Sequence, residues 1–244
     1  MKKVSLIPVK NLPLIKAGDD ISQLIVKSCT FEGITIEEND IIIVAQKIVS
    51  KAENEVLSLG DIMPSKEAIE LADQTGRDPR IVQVYLDEAS EILFVKGNMI
   101  ITKHKLGFKM SSSGVDTSNT ADWGEKKVVL IPKNPDKSCS VVREGIKKQI
   151  GKTVAVIMND SLGRDERDGS IGMAIGIAGI SHLELRKQKD LFGNLINSRI
   201  ALIDELAASA SMLMGQANES VPVVIIRGIP FTVDEQASIK NILN

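Results

Sequence analysis

The chain has 244 residues, of which 43% are hydrophobic and 25% charged, and a formal net charge of −2. This balance predicts a globular protein with a substantial core, long enough for one large domain or two small ones, and gives no global electrostatic case for nucleic acid or an anionic membrane. With two cysteines outside any CxxC pattern, no signal-peptide pattern and no apolar run near the roughly 20 residues that cross a bilayer, we expect a cytoplasmic protein with free thiols.

The predicted elements mix strands and helices without a strict βαβ rhythm. Short β-branched or apolar runs mark the strands, while Pro and Gly mark the starts and stops of the helices. In the first half of the chain we predict strands at 4–9, within 40–49 and at 99–103, a helix from Pro64 through Ala72 stopped at Gly76, and a helix from Pro79. In the second half we predict a helix from Asp136 to Ile150 ended by Gly151 and a strand at 153–158 ending in Asn159-Asp160. A helix at 198–214 stopped by Gly215 and a strand at 221–226 follow.

This order predicts the α+β class with a mixed sheet. A P-loop is excluded because no GxxxxGK[ST] pattern is present, and the glycines between 163 and 179 do not fit the GxGxxG fingerprint of a Rossmann fold. The polar stretch 108–125 is predicted to be a functional loop, since no Pro/Gly/Ser spacer separates two self-sufficient halves. We expect residues 1–244 to form one unit of two interleaved lobes.

Two aspartates are the leading candidates for chemistry. Asp160 follows an apolar strand and precedes Ser161, while Asp116 lies in a short turn rich in glycine and hydroxyl groups. Carboxylates from two separate loops, next to hydroxyls, suit a hard divalent cation that also touches phosphate oxygens. From spacing alone, turn formation or helix capping is the favoured explanation of both residues.

Other candidates are cationic. Guanidinium groups match phosphate and carboxylate bidentately, and the lysines after the strand within 40–49 supply point charges for phosphate. These candidates are Arg164, Arg167, Arg186, Arg227, Lys47 and Lys51. With two histidines in the chain, His104 and His182, a His-rich zinc site or a Ser-His-Asp hydrolase is disfavoured.

Several segments together resemble one family, the coenzyme F-420:L-glutamate ligases. The resemblance spans nearly the whole chain in order. It is carried by Leu12-Pro13-Leu14-Ile15 with Gly18-Asp19-Asp20-Ile21, by Ala45-Gln46-Lys47-Ile48-Val49-Ser50-Lys51-Ala52-Glu53, by Gly114-Val115-Asp116-Thr117-Ser118-Asn119, by Asp160-Ser161-Leu162-Gly163-Arg164, and by Asp204-Glu205-Leu206-Ala207 with Met214-Gly215.

The resemblance implies a two-lobed α+β protomer in an intertwined homodimer, with GTP as co-substrate, Mn²⁺ or Mg²⁺ at two sites, and K⁺. Asp116, Asp160 and Arg164 would be catalytic, and Asp116, Asp160, Ser161 and Gln216 would hold metal. The nucleotide would be bound by Leu12, Pro13, Leu14, Ile15, Gln46, Lys47, Lys51, Asn119, Met214, Gly215, Gln216, Ala217, Asn218, Glu219, Ser220 and Val221.

The implied reaction joins L-glutamate to the phospholactyl carboxylate of a deazaflavin precursor through an acyl phosphate, with a second, γ-linked glutamate as an extension. Asp165 and Glu166 stand where the family usually has a neutral residue and an aromatic, Ser112 stands where Asn is usual, and Asn194 where Arg is common. Extra acidic charge beside an anionic substrate keeps two alternatives open. One is a related GTP- or ATP-dependent ligase that acts on a different acid, and the other a non-catalytic nucleotide-binding homologue.

Overall fold

A computed structural model of the chain describes residues 3–120, 126–164 and 167–243, with the backbone alone for Arg164. The strands are Ser5–Val9 (β1), Ile41–Ala45 (β2), Val56–Ser58 (β3), Ala89–Lys96 (β4), Met99–His104 (β5), Lys109–Ser111 (β6), Lys127–Val129 (β7), Ala155–Arg164 (β8), Arg167–Ala178 (β9), Glu184–Lys189 (β10), Leu195–Ile200 (β11) and Val223–Arg227 (β12). The α-helices are Ile21–Phe31 (α1), Gln46–Ala52 (α2), Lys66–Thr75 (α3), Pro79–Glu88 (α4), Pro135–Ile150 (α5) and Leu202–Met214 (α6). The fold is α+β, as predicted.

The largest sheet has the strand order β1-β12-β2-β8-β9. β2 and β8 run parallel, and the other neighbouring pairs are antiparallel. Its inner strands are the predicted apolar runs, and the side chains of Ile41–Val44, Ala155–Met158 and Val223–Ile226 are buried. Continuous burial along a strand indicates that both faces of the sheet are covered.

Within the part of the chain that the structure describes, buried apolar side chains form two clusters. The larger contains the five-stranded sheet together with side chains from α1, α5 and α6. The smaller is built from α3 and α4 with parts of β5 and β7, and contains the fully buried Tyr85. The predicted organisation as one unit of two interleaved lobes stays a prediction.

Helix boundaries follow the signals in the sequence. Ser65 caps α3, with its hydroxyl accepting a hydrogen bond from the Ala68 N–H at 3.2 Å, and Gly76 ends that helix at φ 67°. Gly151 ends α5 in the same left-handed conformation, at φ 68°. Glycine adopts this conformation without the steric cost that a Cβ carries, so both predicted stops are confirmed.

Two predicted boundaries are wrong. The helix predicted from residue 198 begins at Leu202, because residues 198–200 complete β11, where Ser198 pairs with Arg186. The strand predicted to end at Asn159-Asp160 continues to Arg164 and forms a long hairpin with β9, with Ser161 opposite Gly172. Asp160 therefore lies within a strand rather than at its tip.

The stretch 108–125 is more ordered than the predicted loop. Of its described residues, Lys109–Ser111 form β6, Ser112–Gly114 form a single 3-10 turn, and Asp116 makes a two-way backbone bridge with Val129. This bridge fixes the backbone that carries the Asp116 side chain.

Several other expectations can be compared with the structure. Cys29 and Cys139 are free, as predicted, and both are buried. Arg227 donates hydrogen bonds to Asp40, Glu37 and the Thr35 carbonyl, so it ties β12 to the loop before β2 rather than offering a free clamp for an anion. No helix among the described residues has the length and apolar character needed to cross a membrane.

Candidate active site

Three chain segments leave or enter the main sheet at one edge, beside β8, which continues past them. Ala45, the last residue of β2, is level with Asn159 of the parallel β8, and its N–H donates to the Pro222 carbonyl at 2.8 Å. Val9 is opposite Val223 in the antiparallel pair of β1 and β12. The ends of β1 and β2, the start of β12 and the middle of β8 therefore meet along one line. This register explains why segments far apart in sequence share one cleft.

The cleft has a volume of about 770 Å³, within the usual range of about 300–1,000 Å³ for ligand pockets. Its lining residues come from the loop after β1, from α2, from residues 116–120, from β8 and from the turn after α6. They are Leu12, Pro13, Leu14, Ile15, Ala45, Gln46, Lys47, Ile48, Lys51, Asp116, Thr117, Ser118, Asn119, Thr120, Asn159, Asp160, Ser161, Met214, Gly215, Gln216, Ala217, Asn218, Ser220, Val221 and Pro222.

Two lysines on α2 hold in place the loop at 116–120, called here the acidic loop because it carries Asp116. Lys47 and Lys51 are four residues apart, so their side chains leave the same face of the helix. The Lys47 ammonium lies 2.7 Å from Asp116 Oδ2 and also donates to Ser118, while Lys51 donates to the Asn119 carbonyl at 2.8 Å. The loop at 116–120 is thereby fastened to the sheet edge.

Asp116 and Asp160 face the same cleft and influence each other electrostatically. Desolvation raises the pKa of the half-buried Asp160 to about 7, and the negative charge of Asp116 adds to this shift. A hydrogen bond from the Ser161 N–H and the charge of Lys47 oppose it. A carboxyl group that resists ionisation beside a second carboxylate is in an environment that favours a cation.

Side-chain contacts also join the predicted site segments to one another. Gln216 Nε2 donates to the Ser161 hydroxyl at 2.9 Å, and Asn119 Nδ2 donates to the Ala217 carbonyl at 3.0 Å. The turn at 214–221 therefore contacts both the strand that carries Asp160 and the loop that carries Asp116.

Most of the predicted nucleotide residues line the cleft, with two differences of detail. Glu219 is not among the lining residues, and its carboxylate accepts a hydrogen bond from the Ala217 N–H at 2.8 Å. Gln46 lines the cleft but is buried, and its amide nitrogen donates to Ser50 and to the Leu130 carbonyl. The side chain of Arg164, together with Asp165 and Glu166, lies outside the described residues.

Asn159 and Thr120 also line the cleft, although neither was predicted as a site residue from the sequence. Asn159 is buried next to Asp160 and donates to Ser211 Oγ at 2.9 Å, which ties β8 to α6. Its position beside Asp160 was the available signal. Thr120 follows the acidic turn directly, and no local pattern distinguishes it from an ordinary loop residue.

The donor set can be compared with the needs of a divalent cation. Among the described residues, no group of three or more His, Cys, Asp or Glu side chains comes together, which argues against a site built entirely from protein ligands. Mg²⁺ on a nucleotide needs fewer protein groups, because one or two carboxylates share it with phosphate oxygens and water. Asp116 and Asp160, with the Ser161 hydroxyl and the Gln216 amide, fit that second arrangement.

Comparison with known proteins adds independent information. The family model for F420-0:Gamma-glutamyl ligase matches residues 10–228. The chain is 48% identical to the coenzyme F420:L-glutamate ligase of Methanocaldococcus jannaschii over 94% of this chain and 90% of that protein. It is 43% identical to the ligase of the same name from Methanothermobacter thermautotrophicus, over 93% and 90%, and 37% identical to that from Methanosarcina mazei, over 98% and 91%.

An α+β fold with a polar cleft at one sheet edge, and relatives of this kind along nearly all of its length, define the class of the chain as an amide-bond-forming ligase. The chain belongs to the F420-0:gamma-glutamyl ligase family. The resemblance inferred from the sequence motifs is confirmed.

Proposed function

We propose that this protein uses GTP to join L-glutamate to the phospholactyl carboxylate of a deazaflavin coenzyme F420 precursor. The relatives are named for glutamate ligation to coenzyme F420, which supports the two substrates. The observation that carries the proposal is the convergence of Asp116 and Asp160 on one cleft that is also lined by Lys47 and Lys51. Two acids and two amines at one site suit a triphosphate with its divalent cation.

The proposed chemistry has two steps. The γ-phosphoryl group passes from GTP to the substrate carboxylate, which releases GDP and gives an acyl phosphate. The α-amine of glutamate then attacks the acyl carbon and loses a proton, phosphate leaves, and the amide bond forms. A second, γ-linked glutamate would repeat the sequence on the γ-carboxylate just added.

The residues of the cleft would orient these groups. Divalent cations at two sites, held by Asp116, Asp160, Ser161 and Gln216, would neutralise phosphate oxygens during transfer. Lys51 and the backbone of the 214–221 turn would hold the phosphate tail, and the apolar Leu12–Ile15 segment would cover the nucleotide and limit the access of water to the acyl phosphate. Arg164 is proposed to bind the anionic acceptor.

We also propose a homodimer. The hairpin of β10 and β11 forms its own two-stranded sheet, and its turn and edges expose large apolar side chains. Leu191 is fully exposed, Phe192 is 90% exposed and Leu195 77% exposed. A group of exposed apolar side chains of this kind is typical of a protein interface. The occupant proposed for it is a second copy of this chain.

One assay tests the function. Purified protein is incubated with GTP or ATP, Mn²⁺, K⁺ or Na⁺, L-glutamate and the unglutamylated coenzyme, and products are followed by mass spectrometry. We expect added glutamyl units with GTP and K⁺. Turnover of another acid alone would instead support the alternative of a related ligase for a different acid, which the acidic run at 165–168 suggests. Nucleotide binding without turnover would support the alternative of a non-catalytic homologue.

A further inference from the structure

The ammonium group of Lys47 is enclosed by oxygens of the acidic loop. Its Nζ lies 2.7 Å from Asp116 Oδ2, 2.8 Å from the Ser118 hydroxyl and 2.9 Å from the Ser118 carbonyl. A lysine ammonium has three hydrogens to donate, and three acceptors are in place. In this arrangement Lys47 is bound to the loop and has no hydrogen left for a phosphate group.

The Asp116 carboxylate is equally occupied. Oδ1 accepts hydrogen bonds from the Ser118 N–H at 2.7 Å and from the Ser118 hydroxyl at 2.9 Å, while Oδ2 faces Lys47. A divalent cation would have to approach one of these oxygens to about 2.0–2.2 Å. An ammonium and a dication at the same oxygen repel each other strongly in a partly dehydrated site. The two cations therefore compete for Oδ2.

We propose that Lys47 is an exchangeable counter-ion of Asp116. In the free protein its ammonium occupies the carboxylate; when a divalent cation takes Oδ2, Lys47 moves to the phosphate tail of the nucleotide. This inference rests on the proposed function, because it assigns both the cation and the triphosphate to this cleft. Lys47 is then a positioning residue that makes the two ligands depend on each other.

The geometry allows such a movement. Lys47 lies in the first turn of α2, and its side chain is 22% exposed, so its flexible four-carbon stem can swing into the cleft without disturbing the helix. The consequence is a coupling of two binding events. Both ligands require Lys47 to separate from Asp116, so the free-energy cost of that separation arises once when the two ligands bind together. The cation should therefore bind weakly alone and tightly with a triphosphate, and the triphosphate should show the same dependence on the cation.

Lysine labelling tests the exchange on the wild-type protein. Reductive methylation followed by peptide mass spectrometry gives the reactivity of each amine, and Lys66, which is highly exposed beside Glu70 on α3, serves as the internal reference. We expect Lys47 to react slowly in the free protein, faster with Mn²⁺ alone, and slowly again with Mn²⁺ and a non-hydrolysable GTP analogue. Unchanged labelling of Lys47 at Mn²⁺ concentrations that calorimetry shows to bind would overturn the proposal.

A substitution provides the second measurement. Lys47→Met keeps an unbranched side chain that is one atom shorter and removes the competing charge, so Mn²⁺ should bind the free variant about tenfold more tightly, equivalent to about 1.4 kcal/mol. The analogue should then raise the Mn²⁺ affinity by a smaller factor than in the wild type. Lys66→Met, the matched control, should leave both values unchanged.

The outcomes separate this inference from the proposed function. If Mn²⁺ binds the wild type and Lys47→Met equally, the exchange is wrong and the ligase proposal stands. If Mn²⁺ binds neither protein, with or without the GTP analogue, the cation site itself is wrong, and the proposed function loses its metal.

Discussion

The side-chain amide of Gln216 donates a hydrogen bond to the hydroxyl of Ser161 at 2.9 Å, across 55 positions of sequence. Gln216 belongs to the turn after α6 and Ser161 to the middle of β8, so this bond closes one side of the cleft. Both residues are exposed to the cleft. Their oxygens are therefore available to a cation that neither residue could hold alone.

Gln216→Ala should weaken cation binding at Ser161 and Gln216 without unfolding the protein. We expect the Mn²⁺ concentration for half-maximal ligase rate to rise about tenfold and the melting temperature to change little, since one exposed hydrogen bond contributes about 1 kcal/mol or less. The measurement is the Mn²⁺ dependence of the initial rate. Gln149→Ala removes a comparable amide-to-serine bond, from Gln149 to Ser22 at 3.0 Å, and should leave the Mn²⁺ dependence unchanged. An equal shift in both variants would contradict a role of Gln216 in cation binding.

Asp160→Asn should stabilise the cation-free protein and abolish turnover. Because the pKa of Asp160 is raised from 3.8 to about 7, the folded state holds a proton that the unfolded state has lost between these values, and stability falls as pH rises through this window. Removing the ionisable group should therefore raise the free energy of unfolding at pH 8 by roughly 1–3 kcal/mol and change it little near pH 4. Urea unfolding at the two pH values, without divalent cations, measures this difference.

Asp78→Asn is the control of opposite sign. The hydrogen bond and charge of Arg80 lower the pKa of Asp78 to about 2, so its ionised form stabilises the protein above pH 3.8 and that stability is lost as pH falls toward 2. This variant should be less stable at pH 8 while keeping its response to Mn²⁺. An Asp160→Asn protein that is destabilised at pH 8 would refute the electrostatic account of the cleft.

Asn119→Ala should weaken nucleotide binding for two reasons. The side chain donates to the Ala217 carbonyl, and the backbone is left-handed at φ 53°, a conformation that Asn tolerates better than Ala. We expect the KM for GTP to rise about tenfold, corresponding to about 1.4 kcal/mol. Asn119→Gly keeps the backbone preference, so its KM isolates the loss of the side-chain bond.

The backbone contribution has its own control. Asn39 also has a left-handed backbone, at φ 63°, and its N–H donates to the Thr153 carbonyl. Asn39 does not line the cleft. Asn39→Ala should cost similar stability in thermal unfolding and leave the KM for GTP unchanged. A KM for Asn119→Ala equal to that of the wild type would remove Asn119 from the nucleotide site.

Replacing Leu191 and Phe192 together by Ser should yield a monomer. These side chains are exposed at the turn of the β10–β11 hairpin, where Asp190 accepts hydrogen bonds from the Phe192 and Asn194 N–H groups. The turn itself should persist, because none of those bonds uses the substituted side chains. Light scattering after size-exclusion chromatography measures the mass. Phe31→Ser, which removes another largely exposed aromatic at the end of α1, should leave the mass at two chains. A wild-type protein of one-chain mass would end the dimer proposal.

The sequence predicted α3 and α5 from local signals. Gly76 and Gly151 end these helices as predicted, and the N-caps Ser65 and Asn134 lie within two residues of the predicted starts at Pro64 and Asp136, because capping chemistry is local. The hairpin of β10 and β11 was missed because both strands are largely exposed and β10 is rich in charge, so no buried apolar run marks them. Residues 198–200 were assigned to the following helix, and their pairing with β10 places them in a strand instead.

The site was predicted as a set of residues and not as an arrangement. Motifs placed Asp116, Lys47 and Asp160 in one site, but the pairing of Lys47 with Asp116 depends on how α2 meets a loop about 70 residues away.

One departure from the family pattern has a local explanation. Asn194, where Arg is common, donates to Asp190 Oδ2 at 3.0 Å and closes the hairpin turn.

Asp116 and Asp160 are attached to different cores: Asp116 follows Val115 of the smaller apolar cluster, and Asp160 is carried by a strand of the larger one. Local opening of the smaller cluster would displace one carboxylate while the main sheet stays folded. Opening of the smaller cluster alone would therefore be enough to stop catalysis, even while α1, α5 and α6 stay folded on the main sheet.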